Sequence, residues 1–293
     1  MRFDRYNNPK PAKPEIGNSN NTDRTPPHSP KQGYDFMSST LRPDNYARHT
    51  LERYTGSPIK EFCSHILICN FHRYIRTFAK TTGKPILSNN WSVVHDHDTD
   101  ISIINYGVGS PSAGIIMHCL SFLDELKCVL MLGMCGGIDD SLAIGDLLLP
   151  TASIRDEGTS AHYLPKDVPA LPTFGLNRVA EEVIMQEVNK VPKSGIMHTT
   201  DYRMWEFDRE FIDYILKHRI IAIDMEIATI FSVGYALNVP TAALMLVSDL
   251  PLKKGGIKSK DSASEIFETY TEQHLDIGIK IIQEVKRQKY PIR

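Results

Sequence analysis

The sequence lacks any apolar run of about 18 residues, the length that a membrane-spanning helix needs, and its N-terminus has no apolar signal core. Excess charge of one sign is also missing, because 33 Lys and Arg face 35 Asp and Glu, for a formal net charge of −2. Only five cysteines occur, and none forms a C-x-x-C pair. Membrane insertion, general nucleic-acid binding and a disulfide framework are therefore disfavoured. We expect a cytoplasmic protein with no nucleic-acid or membrane partner.

The first 35 residues differ in composition from the rest, because proline, asparagine, lysine and serine dominate them. Such a segment has too little apolar surface to offset the entropy of ordering, so we predict that residues 1–35 form a disordered arm. Residues 36–293 are predicted to form a single domain, since 41% hydrophobic residues are enough for one large core.

Strand and helix patterns alternate after the arm, which predicts an α/β protein whose sheet is covered by helices on both faces. The predicted strands are 65–69, 101–106, 128–132, 147–152, 195–198, 219–224 and 241–247. The predicted helices are 70–79, 112–126, 175–190, 210–217, 226–237 and 263–286.

Two of these strands end in carboxylates. Glu226 stands where the strand 219–224 gives way to a helix, and Asp249 follows the strand 241–247. Open α/β sheets build their sites at the carboxyl ends of strands, so we expect both side chains in one site. One carboxylate can hold a diol while the other moves a proton.

Two glycine-rich segments also follow predicted strands. Residues 107–113 read GVGSPSA and lead into a helix for which Ser112 is the predicted N-cap, where backbone N–H groups suit an anion. A simple tight turn is the alternative. Residues 133–137 read GMCGG, and glycine such as Gly136 lets a ligand approach the backbone. An ordinary loop is the alternative there.

The segment 199–206 reads TTDYRMWE and places Tyr202 and Trp205 beside Arg203. A flat aromatic ring next to an arginine suits a purine and a phosphate. A capped helix entry with a core tryptophan is the alternative. The run His95–Asp98 has two histidines but no further ligands at suitable spacing, so we predict a solvated polar loop and no metal site.

Taken in order, GVGSPSA, MCGG, DMEIAT and VSD resemble the motifs of the nucleoside phosphorylase/hydrolase superfamily. The segments ERYTG, NFHRY, IGD, TTDYRMWE and EQHLDIGI further resemble those of AMP nucleosidases, over about residues 38–290. This resemblance implies a three-layer fold in which a mixed central sheet is flanked by helices. Long AMP nucleosidases carry an N-terminal regulatory domain, and we expect only the short arm in its place here.

The resemblance implies distinct roles for the carboxylates. Asp249 is expected to protonate or hydrogen-bond N7 of the leaving purine, because an acid that neutralises the ring makes it a better leaving group. Glu226 and the backbone of Met225 are expected to hold the ribose hydroxyls and to stabilise a sugar that becomes oxocarbenium-like. Trp205 or Tyr202 is expected to stack on the base beside Gly136. The residue that activates water is not identified, although His72 is a candidate.

The sequence departs from the phosphorylases where they hold their attacking phosphate with an arginine and a serine. Met131 and Met134 stand at those positions, so water is expected to attack instead. A phosphate on the substrate still needs contacts, and the candidates are Arg42, Arg73, Arg203 and Ser112. Arg73 matches a superfamily phosphate ligand, whereas the segment around Arg42 reaches a neighbour's site in hexameric relatives.

The resulting hypothesis is an enzyme that hydrolyses AMP to adenine and ribose 5-phosphate with no metal or organic cofactor. A homo-oligomer, either a hexamer or an assembly of dimers, is expected, and inorganic phosphate is a candidate ligand or inhibitor. The alternatives are a purine nucleoside phosphorylase, a nucleosidase for unphosphorylated nucleosides, and a non-catalytic nucleotide sensor on the same fold.

Overall fold

Within residues 43–256 and 260–288, which the computed structural model describes, nine strands form one mixed β-sheet. The strands are β1 His65–Cys69, β2 Leu87–Ser88, β3 Ser92–Asp96, β4 Ile101–Asn105, β5 Cys128–Gly137, β6 Leu147–Asp156, β7 Lys193–Thr200, β8 Ala222–Asp224 and β9 Thr241–Asp249. The α-helices are α1 Pro43–Thr55, α2 His72–Thr82, α3 Ser110–Leu120, α4 Phe174–Val188, α5 Arg209–Lys217, α6 Ile227–Ala236 and α7 Lys260–Arg287. Short 3₁₀ helices cover Ile59–Glu61, Thr159–His162 and Arg203–Phe207.

Part of the sheet closes on itself. The strand order is β2-β3-β4-β1-β5-β8-β7-β6-β9, and β9 also pairs with β5, so the last five strands form a ring. The β5–β9, β6–β7 and β7–β8 pairs are parallel, whereas β5–β8 and β6–β9 are antiparallel. This arrangement brings the carboxyl ends of β8 and β9 beside the end of β5.

Helices cover both faces of the sheet, and the strand residues alternate between them. Ile66 and Ile68 of β1 pack into one apolar cluster with residues of α1, α3 and α6. Leu67 and Cys69 pack into a second cluster with residues of α2, α4 and α7. The predicted three-layer architecture is therefore confirmed. None of the described helices is long and apolar enough to cross a membrane.

The strand predicted for residues 128–132 was expected to end before the glycine segment, and that boundary is wrong, as is the alternative of an ordinary loop at 133–137. β5 continues through all of it and ends at Gly137. The reason is close packing across the ring: a Cβ on Gly133 would lie 2.6 Å from Sδ of Met245, and one on Gly137 would lie 2.9 Å from Cδ2 of Leu250. These glycines admit neighbouring side chains and keep the strand regular.

The polar run that begins at His95 is only partly a loop. His95 and Asp96 belong to β3, and His95 is half-buried with its Nε2 2.8 Å from Oγ of Ser57 and its Nδ1 2.8 Å from Oγ of Ser102. Partners distant in sequence therefore satisfy the ring within the sheet. The described residues contain no group of three or more His, Cys, Asp or Glu placed to hold a metal ion.

Several helix boundaries also differ from the expectation. α3 begins at Ser110 with Gly109 as its N-cap, so the prediction of Ser112 as N-cap is wrong, and the helix ends six residues earlier than predicted, at Leu120. The described sheet also includes β2 and β3, which the pattern did not predict. The arm predicted for residues 1–35 lies outside the described residues.

Candidate active site

A cavity of about 320 Å³ opens where β5, β8 and β9 end. Its walls come from the β1–α2 junction, the turn before α3, β5, the 3₁₀ helix Arg203–Phe207, the β8–α6 junction and the end of β9. The lining residues are Asn70, Phe71, Val108, Met134, Cys135, Gly136, Arg203, Trp205, Glu206, Ile223, Asp224, Met225, Glu226, Ser248 and Asp249. The two carboxylates predicted from the strand ends, Glu226 and Asp249, therefore share one cavity.

Glu226 is the N-cap of α6 and is only 4% exposed. Its Oε1 accepts a hydrogen bond of 2.6 Å from the backbone N–H of Gly109. Gly109 has φ +101°, a backbone conformation that favours glycine, so the residue type allows the turn that presents this N–H. Ser110 fastens the same two segments, because its Oγ donates to the carbonyl oxygen of Met225 at 2.8 Å.

Asp224 fixes the β8–α6 junction through hydrogen bonds to the start of α6 and to β7. Its Oδ2 accepts from the backbone N–H groups of Glu226 and Ile227 at 2.8 and 2.6 Å. Its Oδ1 accepts from the hydroxyl of Thr199 on β7 at 2.6 Å. Oγ1 of Thr199 in turn accepts from the N–H of Ala228 at 3.0 Å. Asp224 thus satisfies the free N–H groups at the start of α6 and fixes the backbone that carries Glu226.

The two neighbouring carboxyl groups, Asp224 and Glu226, lie in an environment that disfavours charge. Burial raises the pKa of Glu226, and the nearby Asp224 carboxylate raises it further. Burial also raises the pKa of Asp224, although the hydrogen bonds from Thr199 and from the backbone of Ile227 and Glu226 oppose that rise. Proton binding by this pair therefore extends toward neutral pH.

Asp249 ends β9 at an irregularity in the sheet. Val247 pairs with Cys135 and Asp249 pairs with Gly136, so Ser248 is an extra residue that forms a β-bulge. The Ser248 hydroxyl contacts Oδ1 of Asp249 at 2.6 Å and the carbonyl oxygen of Cys135 at 3.3 Å. A Cβ on Gly136 would lie 3.5 Å from Oδ2 of Asp249, so this glycine keeps the space beside the carboxylate open.

The predicted aromatic residues behave differently from each other. Trp205 lines the cavity, is 4% exposed and packs with Ile223 and with Phe211, whose ring centroid lies 5.9 Å away. Tyr202 is half-buried against Phe211 at 6.2 Å and is not among the lining residues. Trp205 is therefore both part of a small apolar cluster and a wall of the cavity, as its two sequence interpretations had separately suggested.

Of the candidate phosphate contacts that the structure describes, Arg203 lines the cavity and Arg73 and Ser112 do not. Arg203 lines the cavity, but its Nη1 already lies 2.9 Å from Oε1 of Glu206. Arg73 is half-buried on α2 and is not a lining residue. The Ser112 hydroxyl donates to the carbonyl oxygen of Tyr106 at 2.6 Å, which closes the turn before α3. Arg42 lies outside the described residues.

His72 is also not among the lining residues: it is exposed at the start of α2, with its Nδ1 3.4 Å from Oγ of Ser92. The two methionines separate: Met134 lines the cavity, whereas Met131 is fully buried with its Sδ 3.6 Å from the hydroxyl of Tyr106. Of the two positions at which phosphorylases are expected to hold phosphate, only that of Met134 therefore lies in the cavity wall, and it carries a thioether.

Several lining residues were not predicted as site residues, and the polar ones include Asn70, Ser248 and Glu206. Asn70 is 8% exposed, and its Nδ2 donates to the carbonyl oxygen of Gly107 at 2.6 Å. Ser248 holds Asp249, as described above. Glu206 forms a salt bridge with Arg203 from the same 3₁₀ helix. The spacing of Arg203 and Glu206 by three residues was the available signal, because side chains at i and i+3 eclipse in a 3₁₀ helix.

Comparisons with known proteins agree with this architecture. The model of the phosphorylase superfamily matches residues 66–283. The chain is 30% identical over 278 residues to AMP nucleosidase of Escherichia coli K12, covering 79% of this chain and 57% of that protein. The crystal structure of AMP nucleosidase from Bacteroides thetaiotaomicron superimposes with a TM-score of 0.73 at 34% identity, covering 84% of this chain and 98% of that one. A guanosine phosphorylase from Halorubrum lacusprofundi is 29% identical over 168 residues, covering 57% of this chain and 68% of that protein.

The chain therefore belongs to the phosphorylase superfamily. Within that superfamily it resembles AMP nucleosidases, as the motifs had indicated. It spans 57% of the length of the E. coli relative.

Proposed function

We propose that the chain hydrolyses the N-glycosidic bond of AMP and releases adenine and ribose 5-phosphate. The observation that carries this proposal is that Glu226 and Asp249 line one cavity, each held by short hydrogen bonds. The cavity also has an aromatic wall at Trp205. Acid chemistry at the base and a clamp at the sugar are what this bond cleavage requires.

In the proposed reaction, the bond between C1′ and N9 breaks and its electron pair moves into the purine. Asp249 donates a proton or a hydrogen bond to N7 and so neutralises the charge that develops on the ring. Gly136 leaves room for the base edge beside this carboxylate. Water then adds its oxygen to C1′ and loses a proton to solvent, and Asp249 regains from solvent any proton that left with the purine, which completes the hydrolysis.

The ribose is proposed to lie against the β8–α6 junction. Oε1 of Glu226 is committed to the N–H of Gly109, so the other carboxylate oxygen is the one proposed for the ribose hydroxyls. The positive charge that develops on the sugar is stabilised by this carboxylate. The backbone of Met225, which is fixed by Ser110, is proposed to contribute the second sugar contact.

Water is proposed as the attacking group because the wall offers little to an attacking phosphate. Met134 brings a thioether to the cavity, and Ser248 uses its hydroxyl within the protein. Among the described lining residues, Arg203 is the single Arg or Lys. Four acidic residues, Glu206, Asp224, Glu226 and Asp249, share that lining, which disfavours a free anion.

The 5′-phosphate of AMP is negatively charged, so it needs cationic side chains in addition to those that line the described cavity. Arg203 is a proposed contact, since a guanidinium has further N–H donors after one has paired with Glu206. The others are Arg42, together with Arg48 and Arg53 on α1, supplied by a second copy of the chain in a homo-oligomer. Arg42→Ala should raise KM for AMP far more than it lowers turnover of adenosine, and equal effects on both substrates would contradict this assignment.

The reaction itself is tested by incubating the purified protein with AMP, adenosine or IMP, with and without inorganic phosphate, and identifying the products. Adenine and ribose 5-phosphate from AMP without phosphate are expected. Consumption of phosphate with formation of a sugar 1-phosphate would favour the phosphorylase alternative, which the guanosine phosphorylase resemblance supports. Ligand binding without product would favour a nucleotide sensor.

A further inference from the structure

Glu206 is a buried acid in the wall of the cavity. Its side chain is 5% exposed, whereas that of its ion-pair partner Arg203 is 54% exposed. Both lie on the 3₁₀ helix Arg203–Phe207, and both line the cavity. The carboxylate is therefore sequestered by the protein while its cation stays in contact with solvent.

Such a carboxylate has unused acceptor capacity. Among the described residues, the contact between Oε1 and Nη1 of Arg203 is the only polar interaction of Glu206. A carboxylate has two oxygens, each of which can accept hydrogen bonds, and burial of an acceptor without partners is costly. Glu206 lines the cavity, so a bound ligand with an N–H donor would use the remaining acceptor capacity.

The position of Glu206 in the cavity distinguishes the parts of a nucleotide. The sugar is assigned to Glu226 and Met225, which come from the β8–α6 junction. Glu206 instead follows Trp205 directly, and the Trp205 ring is the aromatic wall of the cavity. A donor that reaches Glu206 therefore comes from the flat base that lies against this wall.

We propose that Glu206 selects the base by accepting a hydrogen bond from the exocyclic 6-amino group of a 6-aminopurine. The inference rests on the proposed function, because it assigns a role within the same site. A 6-aminopurine offers N–H at this position, whereas a 6-oxopurine offers a carbonyl oxygen. Two acceptors facing each other in a buried site leave both unpaired, which is how polar sites reject a close analogue.

Arg203 has a supporting role in this arrangement. Its guanidinium lies 2.9 Å from one oxygen of Glu206 and so fixes the orientation of this side chain. One N–H is used in this pair, so its other donors stay available to the substrate.

The test compares kcat/KM for AMP and for IMP in the wild type, in Glu206→Gln and in Glu210→Gln. Glu210 is an exposed acid on α5 and serves as the matched control. The AMP-to-IMP ratio should fall by about tenfold or more in Glu206→Gln, mainly through loss of AMP turnover, and should not change in Glu210→Gln. An unchanged ratio, or equal losses for both substrates, overturns the proposal.

A binding measurement separates this inference from the proposed reaction. Calorimetric Kd values for adenine and hypoxanthine do not depend on hydrolysis and need only the wild-type protein. Adenine should bind about tenfold or more tightly than hypoxanthine. Equal affinities, or tighter binding of hypoxanthine, overturn the role of Glu206, whereas failure to release adenine from AMP would overturn the proposed function alone.

Discussion

The backbone N–H of Gly109 donates to Oε1 of Glu226 at 2.6 Å, although the two residues are 117 positions apart in sequence. This contact joins the turn before α3 to the N-terminus of α6. It leaves one oxygen of a buried carboxylate for a ligand and fixes the orientation of that oxygen. The proposed sugar clamp therefore depends on two segments that the chain brings together only in the folded state.

Replacing Glu226 by glutamine tests this clamp. The amide can still accept from Gly109, but it carries no charge to stabilise a developing oxocarbenium ion. We expect kcat/KM to fall by roughly 100-fold for AMP and adenosine alike, because both substrates contain the same sugar. Steady-state kinetics on both substrates, with circular dichroism as a control for folding, will measure it. Selective loss for one substrate would contradict a sugar contact.

Asp224→Asn should shift the pH dependence of kcat/KM to lower pH. The Asp224 carboxylate raises the pKa of Glu226, so its neutralisation should lower that pKa. Because the ionised form of Glu226 accepts the sugar hydroxyls, kcat/KM should rise with pH through this pKa, and the rise should shift to lower pH in the variant. Asp208→Asn is the matched control, since Asp208 caps α5 by accepting from the N–H of Phe211 at 3.1 Å. A shift in both variants would indicate a general effect of removing a carboxylate charge at a helix N-terminus.

Asp249→Asn tests the acid. We expect adenine release from AMP to fall by about 100-fold to 10,000-fold, which is the usual range for loss of a general acid. Ser248→Ala should cause a smaller loss, because it removes a hydrogen bond that holds the carboxylate and keeps the acid itself. Adenine formation can be followed chromatographically. Full activity in Asp249→Asn would remove this residue from the chemistry.

Folding stability should depend on His274 under acidic conditions. Complete burial lowers the pKa of His274 to about 4, and its ring contacts the Tyr74 hydroxyl and the carbonyl oxygen of Leu244. Since the unfolded ring keeps its ordinary pKa, the stabilisation is present above about pH 6.5 and is lost as pH falls toward 4.

The size of this loss can be measured by chemical denaturation. Between pH 7 and 4.5, His274 should account for roughly 2–3 kcal/mol of the fall in unfolding free energy. His274→Gln should be less stable at pH 7 but should show a correspondingly smaller fall. His49→Gln, at a ring that is 79% exposed, should keep the wild-type dependence. An unchanged dependence in His274→Gln would contradict the assignment.

The sequence predicted the strand-to-helix junction at Glu226 and the strand end at Asp249 because both follow from local pattern. Apolar runs define the strands, and a carboxylate directly after each run is visible without any tertiary information. The alternation of elements likewise predicted the layered architecture. The motifs then identified the superfamily, which the comparisons confirm.

Features that depend on distant contacts were not predictable from local pattern. β5 continues through Gly133 because Met245 of β9 packs against it, and His95 is held in β3 by hydroxyls from Ser57 and Ser102. Glycine in the first case and histidine in the second usually indicate loops. The burial of Glu206 arises in the same way, because a charged residue beside an arginine is usually solvated unless the fold covers it.

Because of the β-bulge at Ser248, the orientation of Asp249 depends on the number of residues at the end of β9. In a regular strand, Val247 and Asp249 would point to the same side of the sheet, and Val247 is wholly buried in the core. Because Ser248 is an extra residue, the alternation of side chains between the two faces shifts by one position after Val247. Asp249 therefore pairs with Gly136 at the cavity. A regular strand with the same residues and no bulge would keep every chemical group of the acid and still turn Asp249 toward the face that Val247 occupies. The geometry of the proposed site thus depends on the residue spacing of β9 as well as on its side chains.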